Sequence, residues 1–106
     1  MVQIRWTRQS IKDLSDIFEY ISIDSKKYAK HRIVRIKARS QILKTNPRAG
    51  KLVPELTESD FRELIVGNYR IIYKVLNDKH VDILTVHHSA RDLSRRKIYN
   101  THANNG

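Results

Sequence analysis

The sequence predicts an α+β fold in the order β-α-α-β-β-β, an N-terminal strand and an antiparallel helical hairpin packed on an antiparallel sheet, with a short C-terminal helix. Three observations carry that prediction. Residues 2–6 alternate apolar and polar side chains with period two. Two segments with helical spacing of apolar residues follow, joined by a short polar break. Three β-rich runs separated by two turn signals then fill residues 61–88, the pattern of a meander.

The elements follow in chain order. Val2, Ile4 and Trp6 fall on one side of a short strand, with Gln3 and Arg5 on the other. Thr7 offers an N-cap hydroxyl to the first helix, whose apolar stripe reads Ile11, Leu14, Ile17, Phe18 and Ile21. Asp24 or Ser25 caps the second helix, with Tyr28 or Ala29, then Ile33, Ile36 and Leu43, as its buried stripe. Asn46, Pro47 and Gly50 stop it, and residues 51–60 read as an irregular loop around Pro54. Residues 61–66 and 69–75 form a hairpin across Gly67-Asn68, where Gly in the first central position suits a type II′ turn. A second turn at 76–80 leads into the strand 81–88. The run from Ile83 to Val86 lacks polar alternation, so both of its faces should be covered. Residues 91–99 suit a short basic helix, and residues 100–106 have nothing to bury and are expected to be disordered. The domain therefore spans 1–99.

With 106 residues the chain is expected to make one domain with one core. The absence of Cys excludes a disulfide scaffold, an iron–sulfur cluster, thiolate zinc sites and thiol catalysis. No apolar run reaches the roughly 20 residues of a membrane helix, and no signal peptide is read at the N-terminus, so a cytoplasmic protein without membrane contact is expected. The net charge is +10. Residues 26–51 hold ten Lys and Arg and no Asp or Glu, while the rest of the chain has eleven of each sign. A field so concentrated recruits polyanions, meaning nucleic acid, ribosomes or an acidic protein, unless it serves only as a solvated face.

The run Pro47-Arg48-Ala49-Gly50-Lys51 with Val53-Pro54-Glu55-Leu56, the segment from Arg62 to Tyr73, and the ending His88-Ser89-Ala90-Arg91-Asp92-Leu93 resemble the RelE/ParE toxins of bacterial toxin–antitoxin pairs. The resemblance covers about residues 2–97, and its ending is closest to the ParE branch. It implies a small toxin held inactive by a cognate antitoxin lying in the groove between hairpin and sheet. It also implies one of two targets. ParE-like members poison DNA gyrase and block replication; RelE-like members cut messenger RNA on the ribosome. A gyrase-inhibiting toxin without catalytic chemistry of its own is the first expectation, and a metal-independent endoribonuclease the alternative. Assembly as a homodimer or as a toxin–antitoxin hetero-oligomer stays open.

Metal-free RNA cleavage needs proton transfer and phosphate stabilisation at one spot. On the resemblance, Glu55 matches the loop base loosely and Arg70 matches the strand cation well. The C-terminal histidine position falls at Ser89 or Ala90, leaving His87 and His88 one or two places early. Since such a shift turns a side chain to the other face of a strand, the nuclease set of Arg70, Glu55 and His88 reads as incomplete. Adjacent strand residues cannot readily chelate one metal, so neither metal nor cofactor is expected. Arg62, Arg70 and Lys74 form a cationic row if the strands are regular, or else bridge Glu63 or Asp82 across neighbouring strands. With His87 and the basic trio Arg91, Arg95 and Arg96, they are the expected target-binding residues.

Overall fold

The structure, a computed structural model, describes residues 1–56 and 60–89. Strand β1 (Gln3–Trp6) leads into helix α1 (Arg8–Ser22), which turns back through α2 (Lys26–Ser40) and a 3-10 turn at Gln41–Lys44. The strands β2 (Lys51–Leu52), β3 (Phe61–Val66), β4 (Tyr69–Asn77) and β5 (His80–His88) complete the sheet, in the spatial order β1-β5-β4-β3-β2. This is the α+β arrangement and element order expected from the sequence. The helix read at 91–99 and the tail 100–106 lie outside the described residues.

Local chemistry sets the helix ends. Thr7 is extended, and its hydroxyl accepts from the Ser10 amide at 3.2 Å while donating to the Leu84 carbonyl at 3.1 Å. The cap thus also ties α1 to β5. Ser25, rather than Asp24, caps α2 by accepting from the Tyr28 amide at 3.1 Å. Ala29, Ile36 and Leu43 are fully buried beneath α2 and its 3-10 extension, as the stripe predicts. The buried face of α1 is rotated from the predicted one. Ile11 is 57% exposed and Phe18 36%, whereas Ser10 and Asp13 are buried beside Leu14. The rotation follows from the Asp13 carboxylate, which takes hydrogen bonds from β5 and turns the helix toward it.

Two features of the sheet depart from the expectation. β1 pairs with β5 in parallel, Gln3 opposite His80 and Trp6 opposite Ile83, so the sheet is mixed rather than antiparallel. The hairpin and the meander both intervene between these strands, so no tight turn forces them to run in opposite directions. The predicted loop at 51–60 also begins with a short strand, Lys51 opposite Glu63 and Leu52 opposite Arg62. The β3–β4 hairpin turns at Gly67-Asn68 as expected, with Gly67 at φ +56°. β5, flanked by β1 and β4, is buried from Val81 to His87. Ile71, Tyr73, Val81 and Ile83 meet Ile36 and Leu43 on the helical side. Val53, Phe61, Ile72 and Leu84 make a smaller cluster on the other side.

Tyr73 joins the first core to the start of β2. Its hydroxyl accepts from the buried Gly50 amide at 2.9 Å. A Cβ at Gly50 would strike the Glu63 carbonyl and come within 2.8 Å of that hydroxyl, so the approach requires glycine. Tyr73→Phe strands a buried N–H and is expected to cost about 1–3 kcal/mol in urea unfolding. Burial raises the Tyr73 pKa above its ordinary value of 10.0, opposed by the hydrogen bond from Gly50. Above about pH 10 the unfolded chain therefore loses a proton that the folded chain keeps, and stability falls as pH rises. Tyr73→Phe should flatten that part of the alkaline limb.

Candidate functional site

On the sheet face away from the helices, Arg70 projects between two carboxylates. Its Nε donates to Glu63 at 2.6 Å, and its two terminal nitrogens grip both oxygens of Glu55 at 2.8 and 2.9 Å. Glu63 is the diagonal cross-strand neighbour of Arg70 on this face, and Glu55 arrives from the segment after β2. Arg70 and Glu63 are both buried. Hydrogen bonding to Glu55 raises the Arg70 pKa further above its usual value; burial opposes this and Glu63 adds to it. Two carboxylates around one guanidinium leave a formal charge of about −1, which repels a phosphate rather than attracting it.

The other predicted site residues divide between the two faces. Lys74 shares a face with Arg70, Ile72 lying between them, and its ammonium sits 5.3 Å from the centre of the Phe61 ring. Arg62 is opposite Tyr73 and so lies on the helical face. Its Nε donates to Asp60 at 2.6 Å and a terminal nitrogen donates to the Gly50 carbonyl at 2.9 Å. No continuous cationic row results, and these contacts favour the bridging alternative, with Glu63, Glu55 and Asp60 as the partners. His87 is buried and opposite Arg70 in register. His88 turns to the helical face, edge-on to Tyr69 at 5.5 Å. The structure therefore brings Arg70 and Glu55 together but puts His88 on the opposite face. Arg91, Arg95 and Arg96 lie outside the described residues. Among the described residues no group of three or more His, Asp or Glu is placed to hold a metal ion, and no helix is long and apolar enough to cross a membrane.

A cavity of about 630 Å³ opens between the helical hairpin and the end of the sheet, lined by Ile17, Tyr20, Tyr28, Arg32, Tyr69 and His88, with Asp13 and Asp16 on one wall. Arg32 lies 5.5 Å from the Tyr28 ring centre and 6.0 Å from that of Tyr69, and it donates to the Tyr28 hydroxyl at 2.8 Å. Residue-by-residue reading of the sequence gives Asp13 and Arg32 no role in a site and places Tyr28 only as a candidate for the buried stripe of α2. An acidic residue between Ser10 and Leu14, on the inner face of an amphipathic helix, was the one signal available for Asp13.

The described residues thus form a two-helix hairpin on a five-stranded mixed sheet, with an amphipathic cavity between the layers and a basic second helix. The sequence matches the family described as ParE toxin of type II toxin-antitoxin system, parDE, over residues 4–93, and the chain belongs to that family. Among solved structures it is similar to one titled Chromosomal ParDE TA system from P. aeruginosa. The TM-score is 0.69 at 21% identity, covering 83% of this chain and 96% of that one, a likeness of fold. No curated protein matches the sequence.

Proposed function

We propose that this toxin inhibits DNA gyrase in the cytoplasm and so blocks replication, performing no catalytic chemistry of its own, until a cognate antitoxin neutralises it. Membership of the ParE family supports the reading. The observation that carries it is the state of Arg70. The residue that best matches a nuclease cation is buried and held by Glu63 and Glu55, with His88 on the other face of the sheet. The apolar wall of the cavity, Ile17 with the three tyrosines, accommodates the antitoxin's C-terminal region. Contact with the target falls to the basic residues Arg91, Arg95 and Arg96.

The test pairs two assays on purified toxin. Gyrase supercoiling should be inhibited and linear plasmid should accumulate, while messenger in a reconstituted translation system stays intact. Replacing Arg91, Arg95 and Arg96 with alanine should abolish inhibition and leave antitoxin binding in place. Cut messenger with unaffected supercoiling would overturn the proposal in favour of a ribosome-dependent nuclease.

A further inference from the structure

Helix α2 is unusual for its exposure and its charge. Ten of its fifteen residues are exposed, so it stands proud of the molecule on a narrow buried edge of Ala29, Ile36 and Ser40. At about 100° per residue, Lys26, Lys30 and Lys37 lie along one flank and Arg35 and Arg39 along the other. The crest between them carries Lys27, His31, Val34 and Ala38, all exposed. Among the described residues these lysines and arginines enter no ion pair. Lys26 with Lys30, and Arg35 with Arg39, are like charges one helical turn apart, which destabilises a helix by about 0.2–0.5 kcal/mol per pair. By contrast, α1 offsets Lys12 with Asp16 at 3.0 Å. A solvated face kept for solubility gains nothing from uncompensated repulsion, whereas a polyanion relieves it.

The form of the helix selects among polyanions. We propose that the outward face of α2 is a docking surface for the backbone of duplex DNA. An α-helix about 10–12 Å across enters a B-form major groove about 12 Å wide, and cations on both flanks then meet phosphates on both walls. The small crest residues Val34 and Ala38 face the base edges, where thymine methyls offer apolar contact. An extended acidic peptide would reach only one flank. The deep, narrow major groove of A-form RNA does not admit such a helix. Single strands are held by stacking on several exposed aromatic rings, but of the two rings on α2 Tyr28 is engaged by Arg32, which leaves only the His31 imidazole.

The test is anisotropy of a labelled DNA duplex titrated with purified toxin, without gyrase, so its outcome is independent of the target proposed above. With about four phosphates neutralised, affinity should fall about a hundred-fold between 50 and 200 mM salt. Lys30→Glu with Arg35→Glu should weaken binding about thirty-fold or more at 50 mM salt. The charge-matched pair Arg8→Glu with Lys79→Glu should change it less than about threefold. All four residues are exposed, and the variants should melt like the parent. In the unaltered protein, duplex DNA should protect Lys26, Lys30 and Lys37 from amine acylation more than Lys79. Equal loss in both double variants, uniform acylation, or tighter binding to polyglutamate, single-stranded DNA or duplex RNA would overturn the proposal.

Discussion

Replacing Arg70 with alanine is expected to lower the free energy of unfolding by about 3–5 kcal/mol, because it leaves the Glu63 carboxylate buried without its countercharge. Glu63 is 4% exposed and Arg70 7%, so water cannot take over the lost contact without local opening. Glu55 is about a third exposed, and Glu55→Ala should cost no more than about 1 kcal/mol. Replacing both buried partners, Arg70→Met with Glu63→Gln, should recover most of the loss, because the one carboxylate then left without Arg70, Glu55, is partly exposed to water. Urea unfolding followed by circular dichroism measures all three. The comparison also separates roles for Arg70. An arginine that serves chemistry would leave stability nearly unchanged on replacement and abolish messenger cleavage; one that holds the Glu55 segment against the sheet would do the reverse.

The second large effect is at Asp13. Its carboxylate accepts from the Thr85 hydroxyl, from the Val86 amide at 3.0 Å and from the Gln9 side chain at 2.9 Å, fastening α1 to the middle of β5. Asp13 is 5% exposed and Thr85 fully buried. Asp13→Ala leaves a buried hydroxyl and a buried N–H without this acceptor, at about 1–3 kcal/mol each. A total near 3 kcal/mol is expected, with earlier hydrogen exchange of the Val86 amide. Asp13→Asn keeps one acceptor oxygen and should cost about half as much. Unchanged exchange at Val86 in Asp13→Ala would show that the helix is held by its apolar face alone.

The elements that depend on local periodicity were legible in the sequence. Thr7 announces α1 because a cap hydroxyl acts within one helical turn. Gly67-Asn68 announces the β3–β4 hairpin because the backbone at Gly67 needs a positive φ, which glycine adopts freely. The run Ile83–Val86, which lacks polar alternation, marks a strand that lies inside the sheet. The parallel pairing of β1 with β5 was not legible, since it joins residues nearly eighty positions apart and leaves no trace in either strand's alternation. The inner face of α1 was misread for a related reason. Hydrophobicity ranks Ile11 above Asp13, but the hydrogen bonds from Thr85 and Val86 exist only once β5 lies beneath the helix.

The candidate site divides along the same line. That His87 and His88 must point to opposite faces follows from strand geometry, and that residues 26–51 carry the entire net charge follows from counting. Which histidine meets Tyr69, and whether Arg70 is free or held, depended on the register between β3, β4 and β5. Composition and pattern thus settled the fold class, the order of its elements and where its charge is concentrated, since each is a local or additive property. The partners of individual charges were decided by tertiary structure. An ion pair such as Arg70 with Glu55 forms only when the folded chain excludes water and brings together groups that the sequence leaves fifteen residues apart.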